Sequence, residues 1–91
     1  MVCAVNYDLS QPGRDYSGLH AAIKSLGAWM HSLGSTWLVD THLSVSEVAA
    51  CLRPHIDQND SLLVIGVTGQ ANGWLPAEAW EWIRRRAPLA A

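Results

Sequence analysis

The chain has 91 residues, a size that allows one small domain and leaves no room for two. Hydrophobic residues make up 49% and charged residues 15%, which excludes an intrinsically disordered chain, because disorder requires low hydrophobicity with high net charge. The formal net charge is −2, so the basic excess typical of proteins that coat nucleic acid is absent. No apolar run approaches the ~18 residues of a membrane span. Low charge with many large apolar side chains predicts an oligomer.

The first third of the chain predicts a strand followed by a helix. Apolar residues alternate through Val2–Asp8, and the second face of this strand becomes polar toward its end. After a turn at Gln11-Pro12-Gly13, apolar residues recur at spacings of three and four and predict a helix from about Asp15. Its apolar stripe consists of Tyr16, Leu19, Ile23 and Leu26. Gly27 is placed to end the helix in a left-handed cap.

The middle of the chain predicts two strands and a second helix. Trp29–Leu33 is a short strand, Gly34 an interruption, and Ser35–Thr41 a firmer strand. Ser44 and Glu47 form a capping box, which starts a helix carrying Val48, Cys51 and Leu52 toward the core. Pro54 ends or kinks that helix.

The last third predicts a buried strand and a C-terminal helix. Ser61–Thr68 is apolar at successive positions, which predicts a strand covered on both faces. Pro76 stands at a first helical position, and the helix that it begins is predicted to reach about Arg86.

This element order predicts an α+β domain with the ferredoxin-like βαββαβ arrangement and an added C-terminal helix. The chain is interpreted as a single domain over residues 1–91, with a core of about 1–68 and a Trp-rich C-terminal extension of about 69–91. Right-handed crossovers place both main helices on one face of the sheet. The opposite face, with Ala4, Asn6 and Asp8, therefore needs another cover: the Trp-rich segment or a second subunit.

Cysteines and histidines supply little evidence for a metal site. Cys3 and Cys51 form no Cys-x-x-Cys pair, and we interpret them as two buried, reduced thiols of a cytoplasmic protein. The first eight residues lack the pattern of a signal peptide. The four histidines show no zinc-ligand spacing, and His31 is the histidine to test as an acid or base.

Several segments in order resemble a known family. Asn6-Tyr7-Asp8-Leu9 ends the first strand, Lys24-Ser25-Leu26-Gly27 ends the first helix, Ser35–Val39 lies in the third strand, and Asn59–Val64 leads into the fourth. Over about residues 1–70 this set resembles the small bacterial proteins of the SinR family. These belong to a superfamily with VapD-type toxins and the CRISPR-associated Cas-two nucleases.

The resemblance implies a metal-dependent endonuclease that cleaves RNA or DNA as a homodimer, with a role in antiviral defence. It implies that Asp8 of each subunit holds a divalent metal such as Mg²⁺ or Mn²⁺, and that Tyr7 stands beside it as a catalytic residue. Ser35 and Trp37 align with a stretch near the same interface and, with Arg14, are the implied nucleic-acid contacts. The relatives often carry arginines at the start of the first helix, whereas this chain offers only Arg14 and Lys24.

Alternatives stand beside each of these expectations. Asp8 is also suited to accept backbone amides in the turn that follows it. The alternative interpretation of the chain is a non-catalytic dimeric scaffold or regulator in a bacterial defence or mobile-element system. The C-terminal tryptophans suit packing, stacking on bases, or contact with a protein partner: Trp74, Trp80 and Trp82. Arg84, Arg85 and Arg86 form either a phosphate-binding patch or the solvated end of a helix.

Overall fold

The computed structural model describes residues 1–10 and 15–86. In these residues the elements are β1 (Val2–Asp8), α1 (Ser17–Lys24), β2 (Ala28–Leu33), β3 (Thr36–Asp40), α2 (Val45–Leu52), β4 (Ser61–Gly66) and α3 (Ala77–Arg86). A short 3₁₀ turn, Arg53–His55, follows α2. The predicted turn at Gln11-Pro12-Gly13 and the phosphate contact predicted for Arg14 lie outside the described residues.

The four strands form one antiparallel sheet in the order β2-β3-β1-β4. Strand β1 lies in the middle and pairs with β3 on one side and with β4 on the other. The prediction of an α+β domain is confirmed, and the arrangement is compatible with a ferredoxin-like fold. Because β4 is an edge strand, only one of its sides is hydrogen-bonded within the sheet.

One face of the sheet, the inner face, carries the hydrophobic core. Cys3 and Val5 of β1 are fully buried there. The predicted apolar stripe of α1 is confirmed by the burial of Leu19 and Ile23, which join the same core. The remaining core residues come from β3 and α2: Trp37, Val39, Val48 and Leu52. Side-chain alternation in the strands and the helical repeat therefore direct the apolar groups to one layer.

The predicted capping box of α2 is also confirmed. The Ser44 hydroxyl accepts a hydrogen bond from the Glu47 amide at 3.1 Å, and the Glu47 carboxylate accepts one from the Ser44 amide at 3.0 Å. The hydrogen bonds from Ser44 hold the pKa of Glu47 below its usual value. The helix ends at Leu52, next to Pro54, as predicted.

The other face of the sheet, the outer face, is partly covered by α3. Val2 and Ala4 point away from the inner core and are nevertheless buried, as are Ala79 and Ile83 of α3. The helix contacts β2, and the Arg86 guanidinium lies 3.7 Å from the carboxylate of Asp40 at the end of β3. The C-terminal segment thus supplies one of the two covers considered for this face.

The prediction that the last strand is covered on both faces is wrong. Leu63 and Ile65 remain 56% and 48% exposed on the outer face. The physical reason is that α2 covers β4 from the inner side, whereas α3 lies over the β2 side of the outer face. A continuous apolar run therefore does not guarantee two covered faces in an edge strand.

Two further expectations are corrected. Cys51 is exposed rather than buried, because α2 has eight residues and turns Val48 and Leu52, one helical repeat apart, toward the core. Cys3 is buried as expected, and its burial raises the pKa of its thiol. Gly27 does not form a left-handed cap: α1 ends at Lys24, Ser25 is in the right-handed helical region, and Gly27 has a φ of +158°.

Candidate functional site

Asp8 is the last residue of β1, and its side chain is exposed on the outer face. It stands directly opposite Ser61 of β4. An open groove of about 290 Å³ runs along this end of the two strands, lined by Asn6, Tyr7, Asp8, Ser61, Leu62 and Leu63. Within residues 1–10 and 15–86, no hydrogen bond or ion pair engages the Asp8 carboxylate. Among these residues, the Asp8 charge has no structural role.

The carboxylate that organises the neighbouring turn belongs to Asp60. This buried group accepts hydrogen bonds from the Ser10 amide at 2.8 Å, the Ser10 hydroxyl at 2.9 Å and the Asp57 amide at 2.7 Å. The Tyr16 hydroxyl lies 3.1 Å from both of its oxygens. The Ser10 amide thus donates to Asp60. The alternative role considered for Asp8, accepting the amides of this turn, is at Ser10 performed by Asp60 instead. The sequence around Asp60 indicates only the lead into the fourth strand, and it does not predict a hydrogen-bond partner 50 residues away.

The environment of Asp60 favours its charged form. Burial raises the pKa of this carboxyl, but the hydrogen bonds from Ser10, Asp57 and Tyr16 outweigh burial and hold the pKa at about 2, below its ordinary value of 3.8. Because the folded pKa is depressed, Asp60 stabilises the fold fully above about pH 4. This contribution is lost as the pH falls from about 4 to about 2.

We expect Asp60→Asn to destabilise the protein at neutral pH, because the neutral amide replaces a carboxylate that accepts several hydrogen bonds. The difference in the free energy of unfolding between wild type and variant should narrow between pH 4 and pH 2. Urea unfolding across that range measures it. Asp8→Asn is the matched control, since its carboxylate accepts no hydrogen bond from the described residues. A difference that stays constant with pH would contradict this account of Asp60.

One chain alone does not fit a metal site at Asp8. Among the described residues, no group of three or more histidines, cysteines or carboxylates lies close enough to share an ion. The neighbouring Asn6 amide is already occupied: its oxygen accepts from the Thr36 hydroxyl at 2.9 Å, and its nitrogen donates to the Leu63 carbonyl at 3.4 Å. Mg²⁺ takes six oxygen ligands, several of them waters, and is usually held by one or two carboxylates with substrate phosphates. A second carboxylate would have to come from another molecule.

Tyr7 does not join Asp8, because successive residues of a strand point to opposite faces. Its side chain lies on the inner face, where the hydroxyl accepts a hydrogen bond from the Trp37 indole nitrogen at 3.0 Å and lies 3.4 Å from Nε2 of His20. Trp37 is 2% exposed. Ser35 is exposed in the turn before β3, and its carbonyl accepts from the Tyr7 amide at 3.1 Å. The structure therefore places the Tyr7 and Trp37 side chains on the face of the sheet opposite to Asp8.

Rings from two elements, β2 and α1, surround Trp37 on the inner face. The His31 ring stacks on the Trp37 ring at a centroid distance of 3.9 Å and an interplanar angle of 13°. Trp29 and His20 lie at centroid distances of 5.2 and 5.7 Å from Trp37. Lys24 places its ammonium 4.9 Å from the Trp29 ring centroid. The sequence held a signal for this cluster. Trp29 and His31 are two residues apart on β2 and therefore share a face of the strand, and His20 and Lys24 are four residues apart on α1 and therefore share a side of the helix.

The arginines at the end of α3 are largely engaged within the chain. Arg85 pairs with Glu81 one turn earlier, and Arg86 contacts both Asp40 and the Trp82 ring, the latter at 4.5 Å. These contacts favour the solvated helix end over a phosphate-binding patch. Trp74, in contrast, is 98% exposed.

Comparisons with protein-family models, with curated proteins and with solved structures give no match to this chain. The resemblance to the SinR family therefore stays a prediction from the sequence. None of the helices in the described part of the chain is long and apolar enough to cross a membrane.

Proposed function

We propose that two copies of this ferredoxin-like chain form a homodimer through the uncovered part of the outer face. This surface, the open outer face, consists of Asn6, Asp8, Ser61, Leu63 and Ile65. Leu63 and Ile65 are neighbouring aliphatic side chains on the edge strand β4, and each is about half exposed. Leaving them in water is energetically costly, and an exposed apolar edge strand promotes aggregation. A second copy offers the same apolar surface, so that both copies bury it together.

We propose further that the dimer is a metal-dependent nuclease in which the two Asp8 carboxylates together hold Mg²⁺ or Mn²⁺. The observation that carries this proposal is the exposed Asp8 carboxylate, which no described group engages and whose turn is organised by Asp60 instead. A bound ion would supply positive charge that stabilises a phosphodiester during hydrolysis of RNA or DNA. The Asp8 carboxylates of the two copies would hold the ion at this surface.

The second proposal is a non-catalytic dimeric scaffold or regulator in a bacterial defence or mobile-element system. It is favoured by the lining of the groove beside Asp8, which contains no lysine or arginine among the described residues. In this case Trp74, with its indole in solvent, is the residue offered to a protein partner. Either function is proposed for the cytoplasm, where the two free thiols, Cys3 and Cys51, would stay reduced.

Cleavage assays test the nuclease proposal. Labelled single-stranded RNA and DNA are incubated with wild type and Asp8→Asn, with Mg²⁺, with Mn²⁺ and with a chelator. We expect metal-dependent cleavage that Asp8→Asn lowers by at least about 10- to 100-fold, the loss typical when a group supporting a metal site is removed. Glu78→Gln is the matched control, because this exposed carboxylate stands in the first turn of α3, away from the groove.

Light scattering at tens of micromolar protein tests the dimer. Wild type should have the mass of two chains, and Leu63→Glu should have the mass of one and lose cleavage with it. A monomeric wild type contradicts the dimer, and equal cleavage by wild type and Asp8→Asn contradicts the role of Asp8. A dimer without cleavage under any of the metal conditions supports the scaffold.

A further inference from the structure

A second surface with chemistry of its own lies on the helical side of the sheet, at the β2 edge. We call Lys24, Trp29 and His31 the aromatic platform. Trp29 is 42% exposed, and His31 and Lys24 are exposed beside it. The Asp8 groove lies on the opposite face of the sheet, and neither Trp29 nor His31 takes part in it. The platform is therefore a separate site.

The platform rings are fixed before any ligand arrives. The Trp29 ring packs against the Trp37 ring at a centroid distance of 5.2 Å, and the His31 ring stacks on the Trp37 ring at 3.9 Å. Trp37 is itself fixed, because its indole N–H donates to the Tyr7 hydroxyl. A ligand that stacks here does not have to order these side chains, so the entropic cost of binding is lowered.

The tautomer of His31 follows from its hydrogen bond. Nε2 of His31 lies 2.9 Å from the Gly34 carbonyl, and a carbonyl oxygen only accepts, so Nε2 carries the proton. In the neutral ring Nδ1 is then an acceptor. The platform thus offers an exposed indole, a hydrogen-bond acceptor and one cation.

Lys24 supplies that cation without a carboxylate partner. Among the described residues, its ammonium forms no ion pair and instead lies 4.9 Å from the Trp29 ring centroid and 5.9 Å from that of Trp37. The Lys24 ammonium lies over the exposed Trp29 ring and is free of any described carboxylate, so it can turn from the ring to an anion. The pair therefore complements a ligand that joins a flat ring to a negative group. Nucleotides have this chemistry, since every base has a π face and every linkage a phosphate.

We propose that the aromatic platform binds single-stranded nucleic acid, stacking a base on Trp29 and pairing a phosphate with Lys24. A single strand is favoured over a duplex because a duplex hides the faces of its bases. The small number of cations suits a short contact within a strand rather than a long coated strand, in agreement with the net charge of −2. The site does not depend on cleavage at Asp8, so binding here holds for either proposed function.

Fluorescence anisotropy of labelled 12-nucleotide strands, oligo(dT) and oligo(U), tests the site in a chelator, so that no cleavage interferes. A duplex of the same length tests whether the protein prefers a single strand. Adenosine monophosphate, added as a competitor, tests whether a free nucleotide binds equally well. We expect wild type to bind both single strands more tightly than the duplex or the free nucleotide. Trp29→Ala should weaken binding by about 5- to 100-fold, the range found for single base–aromatic stacks.

Three further variants make the result specific. Trp29→Phe, which keeps a stacking ring, should retain most of the affinity. Lys24→Gln should reduce the slope of log affinity against log salt by about 0.7, as expected for one lost phosphate contact on a single strand. Trp74→Ala, the matched control, removes the most exposed indole and should leave the affinity unchanged.

Several outcomes would overturn the proposal. The first two are tighter binding of the duplex than of the single strands, and equal affinities for adenosine monophosphate and the strands. The others are a loss of affinity in Trp74→Ala equal to that in Trp29→Ala, and an affinity that neither Trp29→Ala nor Lys24→Gln lowers. Circular dichroism and thermal unfolding establish that each variant is folded. If Trp29→Ala does not fold, Lys24→Gln and Trp29→Phe decide the question, because Lys24 is exposed and phenylalanine preserves the packing against Trp37. Loss of cleavage by Asp8→Asn with unchanged strand binding would confirm that the two sites are independent.

Discussion

Replacement of Trp37 by alanine is expected to lower the free energy of unfolding by about 3–5 kcal/mol, the range for large-to-small changes of buried aromatic residues. The indole is 2% exposed and belongs to the core formed by β1, β3 and the two inner helices. The substitution also removes the donor to the Tyr7 hydroxyl and the ring on which His31 stacks. Domains of this size have only about 5–15 kcal/mol of stability, so much of it would be lost.

Urea unfolding followed by far-ultraviolet circular dichroism measures this loss. Trp74→Ala is the matched control: the same residue type is removed from a position that is 98% exposed, and the free energy of unfolding should change by no more than about 0.5 kcal/mol. The resemblance implied a nucleic-acid contact for Trp37. If Trp37→Ala stays as stable as wild type and loses only strand binding, the structural role described for this residue is refuted.

Gly27→Ala is expected to cost about 1–3 kcal/mol, as overpacking in a close contact does. A Cβ atom at Gly27 would overlap the carbonyl oxygen of Asp40, a backbone atom of the neighbouring strand β3 that cannot rotate away. The next residue, Ala28, pairs with the same Asp40 in the β2–β3 ladder. The substitution therefore forces either the α1–β2 connection or the start of this ladder to move.

Gly34→Ala provides the contrast, because a Cβ at Gly34 meets no atom within 4 Å. We expect this variant to be as stable as wild type or slightly more stable, since alanine restricts the unfolded chain. Thermal unfolding of both variants at neutral pH compares them directly. Equal stabilities for Gly27→Ala and Gly34→Ala would show that the close approach of Gly27 to β3 does not constrain the fold.

The sequence predicted most of the elements because their signals are local. Alternation placed β1 and β3, the spacing of Leu19 and Ile23 placed α1, and the capping box fixed the start of α2. Errors arose where packing between distant segments decides the result. Cys51 has an apolar neighbourhood in the sequence, but an eight-residue helix buries only the positions that face the sheet.

The candidate site was predicted only in part. The position of Asp8 at the end of β1 follows from the sequence. Its exposure agrees with the prediction that the second face of this strand becomes polar toward its end. That Asp60 would take the turn amides did not follow, because hydrogen bonds between Asp60 and Ser10 join residues 50 positions apart. The aromatic platform was missed for the same reason: Lys24 comes from α1, whereas Trp29 and His31 come from β2. These side chains meet around Trp37 of β3 only in the folded chain.

The chain is apolar and sparsely charged for its length, and this excess of apolar residues was determined by the sequence alone. The sequence also determined the single small α+β domain, since alternation and helical repeats are carried by neighbouring residues. Only the tertiary structure decided where the excess lies. Val2 and Ala4 are buried on the outer face, where α3 packs against β2, while Leu63 and Ile65 remain about half exposed. The physical reason is that burial depends on which elements cover each face of the sheet, and this is set by contacts between residues far apart in the chain.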